Sequence, residues 1–318
     1  MKRRTADYLL IILKGMGMGA ADVVPGVSGG TIAFITGIYE ELIDSIKSVN
    51  LHAVKLFFTG KFAEFWKTIN GTFLISVFAG IAISVFSLAK GLEYLLEHYP
   101  ILVWAFFFGL IVASAIYVAR YIKKWNAGVV VVGVAGIITA YFITVISPAE
   151  ANSTWWFIFL SGAIAICAMI LPGISGSFIL LLLGMYRFIL EAVGDLNIAV
   201  LATFPVGAAI GIITFSNILS WLLKKYHNMT IAVLAGFMIG SLNKVWPWKE
   251  VTATFTDRHG EIRPLVERNI LPGTYEQITG KQSLLAGAIL LAVIGFALIF
   301  IVEGLTTPKK NKEWKDTV

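Results

Sequence analysis

The chain has 318 residues, 58% of them hydrophobic and 14% charged, with a mean hydropathy of +0.82. That composition excludes a soluble globular protein and points to a polytopic membrane protein. The formal charge of +6 comes without the aromatic-basic interleaving of nucleic-acid binders, and a lone cysteine, Cys167, excludes intrachain disulfides and multi-cysteine metal sites.

In chain order, apolar segments are predicted at about 9–24, 27–44, 72–96, 101–120, 129–146, 155–171, 174–191, 199–223, 229–246 and 283–303. M-K-R-R before Y-L-L-I-I-L imitates a secretory leader, but Lys14 cuts the run short and the pattern recurs internally, so the segment is read as retained. Six segments have the length to span, with 129–146 and 229–246 near the minimum. The other four flank P-G-V-S-G-G (25–30) and P-G-I-S-G-S (172–177). Short arms joined by a Pro-Gly break read as re-entrant hairpins, backbone that is tolerated only inside protein or beside water.

Residues 51–67, which alternate apolar and basic side chains, are predicted to be a helix lying in the cytoplasmic headgroup layer. Lys and Arg cluster at the N-terminus, in 45–70, at 120–124, at 224–225 and after 309. That places both termini in the cytoplasm and makes anionic membrane lipids a partner. Loops at 97–100, 147–154 and 192–198 carry no Lys or Arg and face outward; the long 247–281 loop, which is basic, is also placed outside. Trp155, Trp156, Trp246 and Trp248 are expected at the outer interface and Trp125 at the inner one.

The two breaks belong to a longer internal repeat. At an offset of 147, Gly15, Pro25, Gly26, Ser28, Gly29, Ile32, Gly37 and Tyr39 match Gly162, Pro172, Gly173, Ser175, Gly176, Ile179, Gly184 and Tyr186. At an offset of 127, Gly80, Tyr99, Gly109 and Ser114 match Gly207, Tyr226, Gly236 and Ser241. The expected fold is an all-α polytopic membrane protein with an inverted-topology repeat. The first repeat, 1–150, holds a hairpin (9–44), the amphipathic loop (45–70) and three transmembrane helices (72–146). The second, 151–318, holds a hairpin (155–191) and three transmembrane helices (199–303). Three crossings per half invert the second half relative to the first.

Opposed hairpins let their tips meet near the midplane. Ser28 and Ser175 are placed to cap the outgoing arms. Gly29, Gly30 and Gly176 leave main-chain N–H groups uncovered, Thr31 and Ser177 add hydroxyls, and helix N-termini of this kind attract phosphate or carboxylate. Asp22, three residues before the first tip, is expected either to carry a coupling proton or to cap the tip. Arg187 and Glu40 occupy equivalent positions in the two repeats; Arg187 suits a phosphate and Glu40 can titrate or pair with a cation. Lys14 and Lys90 are expected to snorkel.

P-G-V-S-G-G-T, the preceding G-M-G-M-G-A-A-D-V-V and the second P-G-I-S-G-S resemble the polyprenyl-phosphate transporter (PopT) family over nearly the whole chain. The resemblance implies translocation of undecaprenyl phosphate from the outer to the inner leaflet, recycling the lipid carrier of cell-wall assembly. It implies no cofactor and no enzymatic step, and it leaves a homo-oligomer open. An anion channel or small-anion carrier would use similar half-helix N-termini. The G-x-S-G pattern around Ser28 also suits an intramembrane serine protease, which would need a base such as Lys14 beside the serine.

Overall fold

The computed structural model describes residues 3–23, 28–146, 152–256 and 262–306. The first half opens with α1 (Thr5–Val23), which leads through the first Pro-Gly motif to α2 (Gly29–Ile35) and α3 (Tyr39–Lys47). Two short helices, α4 (Leu51–Phe58) and α5 (Phe62–Thr68), precede the long α6 (Gly71–His98), α7 (Pro100–Ala119) and α8 (Ala127–Val145). The second half repeats the order with α9 (Trp155–Ile170), α10 (Gly176–Leu182), α11 (Met185–Gly194), α12 (Ile198–Lys225) and α13 (His227–Ser241). Strands β1 (Lys249–Thr256) and β2 (Ile262–Asn269) and helix α14 (Pro272–Thr279) then lead to α15 (Leu285–Thr306).

Local chemistry sets the boundaries. Asn126 and Asn197 cap α8 and α12 by accepting from the amides three residues on, Val129 and Val200. Pro100 opens α7, where its missing N–H costs nothing. Among the described residues, four helices are long and apolar enough to cross a membrane: Gly71–Leu88, Pro100–Ala119, Ala127–Val145 and Ile198–Lys225. The span expected at 229–246 is shorter than its apolar run: α13 has 15 residues, about 22 Å at the α-helical rise. Its chain leaves the helix through turns at 242–245, where Lys244 turns aside toward Glu267 on β2.

Each outgoing arm, expected as one helix, is two. The first breaks at Gly37 (φ +71°) and the second at Gly184 (φ +69°), left-handed positions that glycine adopts without strain. The 51–67 stretch is also two helices, separated at Gly60 (φ +75°), and it leaves Phe57, Phe58, Phe62 and Trp66 exposed. Nor is the chain purely helical. Within 247–281, β1 and β2 pair antiparallel from Lys249↔Asn269 to Thr256↔Ile262, with an irregularity near Ala253.

Packing joins the two halves. α1 lies against α6 and α9 against α12; α7 pairs with α15 and α13 with α8. Exchanging the halves maps this scheme onto itself. A Cβ at Gly15 would strike the carbonyl of Val77, and one at the matching Gly162 would strike that of Phe204. Gly80 meets Ile12 and Gly207 meets Phe159 in the same way. Small residues here let backbones approach where lipid provides no hydrophobic drive between helices. The main core gathers Phe73, Val77, Ile111, Leu234 and Met238, all fully buried.

The tryptophans divide. Trp125, Trp155 and Trp156 are exposed. Trp248 is instead buried, its indole N–H donating to the Ser283 carbonyl at 2.9 Å, and that of Trp246 donates to Ile270 at 2.9 Å. These two clamp β1 and β2 onto Ile101 and Ala105 of α7.

Candidate functional site

The site forms where the two Pro-Gly motifs meet. Pro25, Gly26 and Val27 lie outside the described residues, so the first tip is defined by what stands on either side. Ser28 is extended (φ −121°, ψ 132°) and its Oγ accepts the Gly30 amide at 3.1 Å, the geometry of an N-cap. From the last turn of α1, Asp22 Oδ1 accepts the Gly29 amide at 2.7 Å. A carboxylate therefore occupies the start of α2, where the helix dipole favours negative charge. Of the two roles expected for Asp22, the tip cap is the one with a hydrogen bond. Glycine at 29 leaves room for this contact: a Cβ there would sit 2.5 Å from Asp22 Oδ2, and the carboxylate would have to shift.

At the second tip, Pro172 and Gly173 turn the chain, Gly173 with φ +91°. Ser175 Oγ accepts the Phe178 amide at 3.2 Å and lies 3.0 Å from Ser177 Oγ. Gly176 packs on α9, where a Cβ would fall 2.7 Å from the Ala165 carbonyl oxygen.

The motifs touch. Ser28 Oγ donates to the Met169 carbonyl at 3.0 Å, and Thr31 Oγ1 accepts the Gly173 amide at 3.1 Å. A Cβ at Gly30 would collide with the Ile170 carbonyl. Ser28 and Thr31 are wholly buried, and Ser175 nearly so. In this conformation the two tips are in direct contact.

The remaining candidates lie elsewhere or are not described. The Arg187 side chain lies outside the described residues, as does that of Lys90. Glu40 begins α3 beyond the Gly37 break; its carboxylate is 66% exposed and 3.9 Å from His227 Nε2. Lys14 does not reach Ser28. Its Nζ donates to the Thr36 carbonyl at 2.7 Å, a cation on the terminal carbonyls of α2.

Several polar residues escaped the sequence reading. Asp44 on α3 accepts from Ser220 Oγ at 2.7 Å and pairs with Lys224 at 3.1 Å, joining α3 to α12. Arg3 forks onto Glu41 at 2.6 and 2.5 Å. On the opposite side, Lys244 and Lys249 both reach Glu267 Oε2 at 3.2 Å. Lys244 had a sequence signal, an ionisable residue inside the predicted 229–246 segment. A separate apolar cavity of about 450 Å³ opens between α6, α7 and α15, lined by Leu92, Leu95, Leu102, Phe106, Phe107 and Leu291.

Residues 18–263 match the model of the undecaprenyl phosphate translocase-like family. The chain belongs to that family. It is 47% identical to a polyprenyl-phosphate transporter of Vibrio cholerae over 300 residues, 94% of this chain and 97% of the relative. A polyprenyl-phosphate transporter of Staphylococcus aureus is 35% identical over 254 residues, 74% of this chain and 85% of the relative. No solved structure matches. Both Pro-Gly motifs fall inside the stretch that the family match covers.

Proposed function

We propose that the protein carries polyprenyl phosphate, undecaprenyl phosphate in particular, from the outer to the inner leaflet of the bacterial cytoplasmic membrane. The phosphate binds at the paired tips, among Ser28, Gly29, Gly30, Thr31, Ser175, Gly176 and Ser177, with Arg187 as a further ligand. Family membership supports the substrate class. The observation that carries the site is the contact between the motifs, Ser28 to Met169 and Thr31 to Gly173, because it brings two helix starts from opposite halves to one place.

Asp22 supports a cycle in which the first tip always has an anion. Its carboxylate holds the Gly29 amide until a phosphate replaces it, so the helix start never goes without an acceptor. The exchange-symmetric packing of the helices supports an inverted repeat with re-entrant hairpins, in which the halves rock about the tips and open each side in turn. The apolar cavity on α7 suits an isoprenoid tail that stays in the bilayer while its headgroup crosses. Glu40, beside His227, is the second titratable group of the cycle.

The test is headgroup translocation of labelled undecaprenyl phosphate in proteoliposomes, with chloride flux measured alongside. The expected result is lipid movement without chloride flux, collapsing in Ser28→Ala/Ser175→Ala and in Arg187→Ala. Chloride flux without lipid movement would make the protein an anion channel or small-anion carrier instead.

A further inference from the structure

Beyond the tips, the described residues contain one charged cluster that is largely withdrawn from water and unbalanced. Lys244 follows α13 and Lys249 opens β1, and both direct Nζ at the same oxygen of Glu267 on β2, each at 3.2 Å. Their side chains are only 20% and 8% exposed, and that of Glu267 23%. Two ammonium groups share one carboxylate, which leaves a net charge of +1 in surroundings that screen it poorly. A clip that merely fastened the outer strands would need one lysine for one glutamate, because each further buried cation adds a desolvation cost.

Each ammonium also rests on an aromatic face. Lys249 Nζ is 4.2 Å from the ring centre of Trp104 on α7, and Lys244 Nζ is 4.9 Å from that of Phe178. The second contact fixes the cluster's place. Phe178 is the residue after Ser177, and its amide is the one that Ser175 Oγ caps. The surplus charge therefore lies one side chain away from the second tip, between that tip and the strand pair of the 247–281 loop.

We propose that Lys244 and Lys249 form a capture site for a phosphomonoester headgroup on its way to the second tip, with Glu267 as the internal anion that the phosphate displaces. The inference rests on the lipid-phosphate reading above and adds residues to it. A phosphate monoester carries up to two negative charges and three acceptor oxygens, so it satisfies both lysines at once where one carboxylate oxygen now serves both. Capture ahead of the tips raises the local headgroup concentration, an effect on saturation rather than on the rate of the crossing itself.

The experiment measures initial translocation rate against the mole fraction of labelled undecaprenyl phosphate, using the full chain in proteoliposomes. Lys244→Gln and Lys249→Gln are each expected to raise the half-saturating fraction about fivefold with the maximal rate within about twofold of wild type. Lys244→Arg is expected to restore saturation. Glu267→Gln is expected to lower the half-saturating fraction, a direction that loss of a purely structural contact would not produce. Unchanged saturation in both lysine variants, or a fall in maximal rate alone, overturns the capture site while leaving the translocase reading intact.

Calorimetry on purified protein separates the sources of phosphate. Farnesyl phosphate is expected to bind wild type more tightly than inorganic phosphate does, and to lose that binding in Lys244→Gln/Lys249→Gln. Equal binding of the two, or lysine-dependent binding of inorganic phosphate alone, assigns the cluster to free phosphate and overturns the lipid version. If wild type moves no lipid yet binds farnesyl phosphate through the lysines, the translocase reading fails and the capture site stands.

Discussion

Ser28 Oγ donates to the main-chain oxygen of Met169 at 3.0 Å, although 141 residues of chain separate them. The same hydroxyl oxygen accepts from Gly30, so one side chain caps its own helix and holds the last turn of α9. Carbonyls near a helix end have no partner within the helix, and a buried one needs an outside donor. Ser28→Ala removes both bonds together. It is expected to lower unfolding stability in detergent by about 1–2 kcal/mol, and a thermal or denaturant melt checks this.

Asp22 separates charge from capping. Asp22→Asn keeps an oxygen for the Gly29 amide but removes the negative charge that competes with a bound anion. The expected outcome is a near-normal melt with several-fold tighter binding of farnesyl phosphate. Asp22→Ala loses the cap as well and is expected to cost about 0.5–2 kcal/mol. Weaker phosphate binding in Asp22→Asn would count against displacement of the carboxylate.

Two glycines make a matched pair of tests, both read from the melting transition. An alanine at Gly30 would drive its Cβ into the Ile170 carbonyl and part the tips, at an expected cost of about 1–3 kcal/mol. Gly91, inside α6, has open space where a methyl would stand, with nothing within 4 Å. Gly91→Ala is expected to be neutral or to stabilise by up to about 1 kcal/mol, since alanine loses less backbone freedom in a helix.

Strands β1 and β2 are expected to loosen in acid. Burial alone would raise the Glu267 carboxyl, but Lys249 and Lys244 outweigh it and hold it below its ordinary 4.5. A carboxyl depressed in the folded state contributes stability in full above its unfolded value and loses it as pH falls through the folded one. Amide exchange in β1 and β2 is therefore expected to accelerate below about pH 4.5, and in Glu267→Gln that acid limb is expected to flatten.

Composition and repetition made much of this legible in advance. Apolar runs located the long helices, and Pro-Gly-x-Ser-Gly marked the turn at 172–173 and the helix starts at Gly29 and Gly176. The serine caps followed from residue type, since Ser28 and Ser175 each precede a helix start. Tertiary pairing was not legible. Nothing local to Ser28 specifies Met169, and nothing in the run before Trp246 says that Lys244 will bend toward a glutamate on β2. Gly37 and Gly184 matched in the repeat, yet only their left-handed backbone reveals that each outgoing arm is broken there. The tryptophans of 246–248 misled for a related reason: amphipathic rings suit a membrane interface and a folded loop equally well.

The crosswise pairing of α7 with α15 has a consequence for biosynthesis. Gly109 on α7 is shaped for the backbone of Ala292, close enough that a methyl would meet its carbonyl. During translation α7 enters the bilayer long before α15 has been polymerised, so its tightest partner does not yet exist. α8 waits in the same way for α13. The nascent first half must dwell in lipid with its small-residue grooves filled by acyl chains, and those chains must be squeezed out when the second half arrives. Insertion of α15 is thus the step that gives α7 its partner, and a ribosome stalled before it leaves α7 embedded in the membrane but not yet packed.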